Sequence, residues 1–212
     1  MWILLSELPY ANFADFKPYA TSDVERMSRK ICGQVKRPNA GLIEQVIAEF
    51  SDPGFAPLQP FLNGNVVLVP IPRSSPTVEG GAWPPLTIAE LLVKHGFGSR
   101  IYPCIERIKA LPKSSLQSGA NNRPMVEDHY DTLRVNRELD EPQEITLIDD
   151  VVTAGRTSFA CAQRLHEAFP NATLRLFSVM RTQSFDPVPK IITFGTGIIS
   201  FNPASGKTSR IP

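Results

Sequence analysis

Cysteine is scarce in this chain and scattered. Cys32, Cys104 and Cys161 are odd in number, far apart and free of any CxxC spacing. Neither a zinc ribbon nor a disulfide framework is expected, and a reduced, cytoplasmic setting fits best. Histidine is equally rare, and no His/Cys cluster suggests a transition-metal site. An excess of one charge is missing too: the formal net charge is +1, so no global polyanion signal exists. Long hydrophobic runs are absent. The opening MWILLSELPY has no basic segment and is too short for a signal peptide or a membrane span, so no membrane association is expected. No internal repeat or low-complexity tract stands out.

What is present suits a globular protein. Hydrophobic residues make up 42% and charged residues 20% of 212 positions, enough for one well-buried domain with a small subdomain. The 20 prolines punctuate the whole chain, which predicts many short elements joined by ordered loops.

Periodicity gives the order of elements. TSDVERMSRKICGQVK predicts a helix with a Ser22/Glu25 capping box and an inward face of Val24, Met27, Ile31 and Val35. GLIEQVIAEF predicts a second helix. NVVLVPIP, over 65–72, predicts a buried strand ending in a Pro-rich turn. PPLTIAELLVKHGFG predicts a third helix, with Thr87 and Glu90 as a capping box and Gly96 just past its end. Residues 100–122 read as a loop. Strands are expected at DTLRV, EITLID, TLRLFSVM and KIITFGTGIIS, with helix TSFACAQRLHEAF between the second and third. That strand–helix–strand unit implies parallel pairing and a right-handed crossover. The expected fold class is α/β, with a mainly parallel twisted sheet flanked by helices. The expected organisation is an N-terminal helical or hood segment over 1–60, an α/β core over 61–200 and an exposed tail over 201–212. His129 reads as an exposed loop histidine or one that structures the basic loop before it.

The most informative stretch is ITLIDDVVTAGRTS, Ile145 to Ser158. A buried apolar strand holds Asp149 and Asp150 at a defined rim position, where open α/β sheets bind ligands. A small-residue loop then enters a helix, an arrangement that presents backbone N–H groups to a phosphate. Each hydrogen bond to a charged acceptor contributes about 1.5–3 kcal/mol, more than the roughly 0.3–1 kcal/mol of the helix dipole. Carboxylates beside a phosphate must face something other than that phosphate. Vicinal sugar hydroxyls and hydrated Mg²⁺ suit them. A Walker B strand is a competing reading, but its partner NPASGKTS has Phe201 where glycine is required and follows the acidic strand.

This stretch resembles the phosphoribosyl-diphosphate (PRPP) motif of type I phosphoribosyltransferases: apolar residues, two acids, then a Thr/Gly-rich loop. The resemblance implies a type I phosphoribosyltransferase-like fold, Mg²⁺ dependence, and transfer of phosphoribosyl to a nitrogenous base or amine with release of pyrophosphate. Asp149 and Asp150 would hold the ribose hydroxyls and Mg²⁺, directly or through water. Thr153, Ala154, Gly155, Arg156 and Thr157 would hold the 5-phosphate. VVLVPIPRSSP resembles the strand and pyrophosphate loop of the competence-protein branch, with Arg73 and Ser74 as phosphate donors, although the zinc ribbon of that branch is missing. Between these two segments, from Lys94 to Arg123, six basic residues face one acid, Glu106. The family places a flexible hood there, over about 100–123, and Arg107, Lys109, Lys113 and Arg123 would close on pyrophosphate. Arg107 and Lys113 join the acidic pair as catalytic candidates. The aromatic residues Trp2, Tyr10, Phe13, Phe16 and Tyr19 are candidates for a base-stacking hood or for ordinary core and oligomer contacts. A second function class stays open: a regulator or accessory subunit that senses PRPP or a nucleotide without turnover. Partner classes left open are a homodimer, and a nucleic acid or protein that meets the basic loop.

Overall fold

Two β-branched runs, VLVP and ITLI, lie side by side within the sheet. The computed structural model describes residues 5–37, 39–76, 80–111, 124–138 and 141–212. Strand β1 (Glu7–Phe16) precedes helices α1 (Asp23–Val35) and α2 (Ala40–Ala48), and strand β2 (Val67–Pro70) follows after two 3-10 segments. Helix α3 (Pro84–Lys94) leads to the short strands β3 (Arg100–Ile101) and β4 (Ile105–Arg107). Helix α4 (Val126–Asp131), β5 (Leu133–Val135), β6 (Glu144–Val152), α5 (Arg156–Ala168), β7 (Thr173–Thr182), β8 (Ile192–Asn202) and β9 (Lys207–Ile211) complete the order.

Among the described residues, seven strands form one sheet in the order β3-β2-β6-β7-β1-β8-β9. Pairing from β3 to β1 is parallel, and β8 and β9 close that edge as an antiparallel hairpin. The architecture is therefore α/β, a mostly parallel mixed sheet flanked by helices. Strand alternation sends Ile145, Leu147, Leu174 and Leu176 to one face with α5, and Leu68, Ile148, Phe177 and Val179 to the other with α2 and α3. On the second face Phe50 touches Phe13, Phe97 and Phe177 at centroid distances of 5.5, 5.5 and 5.7 Å. No helix among the described residues is long and apolar enough to cross a membrane.

Several expectations need correction. Residues 1–60 do not form a purely helical segment, because β1 lies between β7 and β8, with Tyr10 and Phe13 in the core. Its ELPYANFADF buries both faces and therefore shows no alternation, and Pro, Ala, Asn and Asp are poor strand formers. Helix α1 has the expected capping box but buries Glu25, Ser28, Cys32 and Val35, leaving Val24 and Met27 exposed. The reason is the Glu25 carboxylate, which accepts hydrogen bonds from Thr21 N, Thr21 Oγ1, Ser22 N and Val188 N. Helix α3 starts at Pro84, before the expected Thr87 box, since its two prolines preset the first helical turn. The 100–122 loop contains β3 and β4, and a helix, α4, occupies 126–131. The C-terminal segment is strand β9, not a tail. NPASGKTS is the hairpin turn that brings β9 back: Asn202 Oδ1 accepts from Ala204 N and Ser205 N, and Gly206 takes φ +64°.

Candidate functional site

The site begins where β2 and β6 part. Their parallel register ends at Pro70 opposite Ile148, with one further bond from Ile71 N to Ile148 O at 2.9 Å. Beyond it β6 continues alone against β7, so Asp149 and Asp150 face the space that β2 has vacated. The chain leaves β2 through α3 toward β3 and leaves β6 through α5 toward β7, in opposite directions along the sheet. Such a switch point leaves a crevice at the strand ends. A cleft of about 1050 Å³ opens there, lined by Arg73, Ser74, Asp149, Asp150, Thr153 and Thr157 among others.

The acidic pair is held by its own backbone. Asp149 Oδ1 accepts from Asp150 N at 2.9 Å, and Asp150 Oδ1 from Val151 N at 2.9 Å. Ser158 Oγ donates to Asp149 Oδ2 at 3.3 Å. Burial, and then the charge of Asp150, push the Asp149 carboxyl well above its usual range. Two adjacent hard-oxygen ligands whose mutual repulsion raises a pKa are a donor set that Mg²⁺ fits: it is commonly bound by one or two carboxylates, with water and substrate oxygens completing the shell.

The loop after β6 turns at Gly155, where φ is +78°. A Cβ there would lie 2.6 Å from Ile199 Cδ1, so glycine is required by conformation and by space. Gly155 caps α5 without any side-chain hydrogen bond, and the helix-starting N–H groups border a small pocket of about 250 Å³. Residues 153–158 line this pocket together with Pro124, His129, Asp149 and Val151. It adjoins the large cleft through His129, Asp149, Val151, Thr153, Ala154 and Thr157. Thr208 Oγ1 of β9 donates to Ala154 O at 2.7 Å, so the C-terminal hairpin holds the loop from behind. Arg156 Nη1 donates to Pro124 O at 3.1 Å, tying the loop to the approach to α4.

Arg73 and Ser74 follow β2 into the cleft, as expected. Arg107 also lines it, but from strand β4 and not from a flexible hood. It is 2% exposed, and it donates from Nε to Arg73 O at 2.6 Å and from Nη1 to Thr132 Oγ1 at 2.5 Å. Its Nη2 is buried with no hydrogen-bond partner among the described residues, and burial lowers the pKa of its guanidinium. Arg107 thus stands as a buried positive charge behind the cleft wall. Lys113 and Arg123 lie outside the described residues, as does the half of the basic loop over 112–123. The bonds before Pro70 and Pro72 are trans.

Three contributors were not foreseen from sequence. His129 is buried on α4, not exposed, and its ring nitrogens lie 3.4 Å from Thr157 Oγ1. Burial, then the Arg107 charge, lower its pKa to about 4, so the ring is neutral near pH 7. Arg181 on β7 lines the cleft and forms a two-pronged ion pair, both contacts at 2.7 Å, with the buried Asp15 on β1. Arg210 on β9 lines the same cleft. Helix α4 was not expected from the sequence; Asp128 closes its start by accepting from Met125 N at 2.7 Å. Nothing local in sequence pairs residue 15 with residue 181. No family model matches the chain, and no curated protein matches it.

Proposed function

We propose that this protein is a type I phosphoribosyltransferase-like enzyme that binds PRPP with Mg²⁺ and transfers its phosphoribosyl group to a nitrogen nucleophile. The observation that carries the reading is an uncapped helix start and its glycine turn around one small pocket that Asp149 also lines, with Asp150 on the adjoining cleft. A sugar monophosphate matches that adjacency: hydroxyls donate to the acids, and the 5-phosphate accepts from the N–H groups of 153–157. Thr157 Oγ1 and the neutral ring of His129 add uncharged polar contacts beside the phosphate. Arg73, Ser74 and the positive charge of Arg107 lie on the β2 side, where pyrophosphate belongs.

In the reaction the acceptor nitrogen bonds to C1 of the ribose. The C1–O bond to pyrophosphate breaks with its electron pair, and the nitrogen's proton leaves to solvent. Asp149 and Asp150 would hold Mg²⁺, which when bound offsets the charge of the phosphates. The same carboxylates orient the ribose and counter the positive charge that develops on its ring. Arg73 and Arg107 receive the departing pyrophosphate. Catalysis is positional and electrostatic, and no covalent nucleophile is needed.

The test is pyrophosphate release from PRPP and Mg²⁺ across a panel of bases and amines. Turnover with one acceptor is expected. Saturable PRPP binding with no turnover across the panel would move the protein to the class of non-catalytic sensors.

A further inference from the structure

Charge is unevenly placed along this chain. Residues 17–37 hold six lysines and arginines against two acids, while the whole chain nets +1. Neither acid offsets the excess. Glu25 is buried under its capping hydrogen bonds, with Lys17 Nζ at 3.7 Å. Asp23 pairs with Arg26 in a solvent-exposed bridge. Arg29, Lys30, Lys36 and Arg37 are exposed and make no ion pair among the described residues. Arg26, Arg29, Gly33 and Lys36 follow the spacing i, i+3, i+7, i+10, which lays them in one stripe about 15 Å long on α1. Like charges at such spacings disfavour a helix. The helix dipole accounts for cations in the last turn, not for Arg26, Arg29 or Lys30. Gly33 disfavours the helix as well, and a Cβ added there would meet nothing within 4 Å, so packing does not require glycine. Bare backbone between cations lets a bulky polyanion come close.

The surroundings of the stripe say which polyanion fits. Lys36 at its end and Tyr19 before the start of α1 both line the mouth of the large cleft, as does Phe185. The two rings are 85% and 92% exposed. Lys17 Nζ fixes the Phe185 segment by donating to the carbonyls of Phe185 and Asp186 at 3.3 and 2.9 Å. Of the acids lining the cleft, Asp149 and Asp150 lie on β6, and Asp186 is the one beside a ring. Cations that track a phosphate chain next to open aromatic faces make up a single-strand surface: the backbone is neutralised and unpaired bases stack. Other occupants fit less well. A second copy would set like charge on like charge. A lipid surface needs an apolar outer face, whereas Gly33 and the cations hold the centre of this one and Val24 and Met27 lie to one side. An acidic peptide would meet the cations and leave both rings bare.

We propose that α1 and the rings of Tyr19 and Phe185 bind single-stranded nucleic acid, with phosphates along Arg26, Arg29 and Lys36 and bases stacked on the rings. The proposal stands apart from the phosphoribosyl-transfer reading, and its test contains neither PRPP nor Mg²⁺. Fluorescence anisotropy follows binding of the full chain to labelled oligo(U) and oligo(dT) of roughly 16 nucleotides. Saturable binding of at least one is expected, about twenty- to fiftyfold weaker at 200 mM salt than at 50 mM, as three or four phosphate contacts predict. Arg29→Gln/Lys36→Gln should make the slope of log affinity against log salt shallower by about 1.4. Tyr19→Ala/Phe185→Ala should weaken binding by about tenfold or more and leave that slope unchanged. All four side chains are exposed, so melting temperatures should hold. Gly33→Glu, which adds a carboxylate to the stripe at a position with room for it, should weaken binding by a further independent route. Absence of saturable binding at 50 mM salt overturns the proposal. So does equal binding of a duplex, of polyglutamate or of phosphatidylserine vesicles at matched charge, or binding that both double variants retain.

Discussion

The two sides of the cleft are built differently. Around β6, one strand, one turn and one helix start supply both carboxylates and the anion-binding loop from consecutive residues. Across β7, β1 and β9, the wall is assembled from Tyr10, Arg181 and Arg210, which meet only when the sheet forms. Their electrostatics differ as well. The first side concentrates like charge, Asp149 beside Asp150, and holds it by backbone hydrogen bonds. The second pairs Arg181 with Asp15 in two prongs and leaves one nitrogen of Arg210 without a hydrogen-bond partner among the described residues. Like charge held close is unfavourable for folding alone. It becomes favourable with a ligand of opposite sign, whereas the Arg181–Asp15 pair satisfies itself. The contrast separates groups that serve the fold from groups that wait for a partner.

Removing one half of the self-satisfied pair tests this most severely. Asp15→Ala leaves Arg181 buried without its anion and should cost about 3–5 kcal/mol, read as a large fall in the denaturation midpoint. Arg210→Gln should lose far less, because no ion pair is broken; equal losses would erase the distinction between the two arginines. Next in size is Gly155→Ala. The left-handed turn and the contact with Ile199 predict a loss of roughly 1–3 kcal/mol and a weaker response to PRPP. A loss confined to stability would detach the turn from ligand binding.

The smallest effect is in pH dependence. The folded-state pKa of His129 is lowered to about 4 from an ordinary value of 6.5. The unfolded chain therefore takes up a proton below pH 6.5 that the folded protein does not. Stability contributed by the neutral ring is present above that pH and is lost as pH falls toward 4. His129→Gln should flatten this part of the stability profile. An unchanged slope would mean that other groups set it.

The same division explains what could be read from the chain alone. Asp149 to Thr157 was legible because neighbours in sequence are neighbours in space, and because ITLI could only be a buried strand. The second side was hidden. Strand β1 carries no alternation, since both of its faces are covered, and the ion pair it makes spans 15 to 181. The end of the chain read as a tail because NPASGKTS is turn chemistry, but Asn202 and Gly206 use that chemistry to return β9 to the sheet. Arg107 was assigned to a basic loop by composition; a three-residue strand, buried at alternate positions, is too short to announce itself. His129 was read as exposed because α4 is short, and its burial depends on packing against α5.

Calorimetry of PRPP with Mg²⁺, on the wild-type chain and on Asp149→Asn/Asp150→Asn, addresses the acidic pair directly. The wild type should bind saturably and only with the metal present. The double variant should stay folded, with a ligand-free melting temperature as high or higher because the raised pKa of Asp149 marks a strained carboxylate, and should show no heat of binding. Equal binding by both proteins, or none by the wild type, would mean that the aspartates serve something other than a phosphorylated sugar.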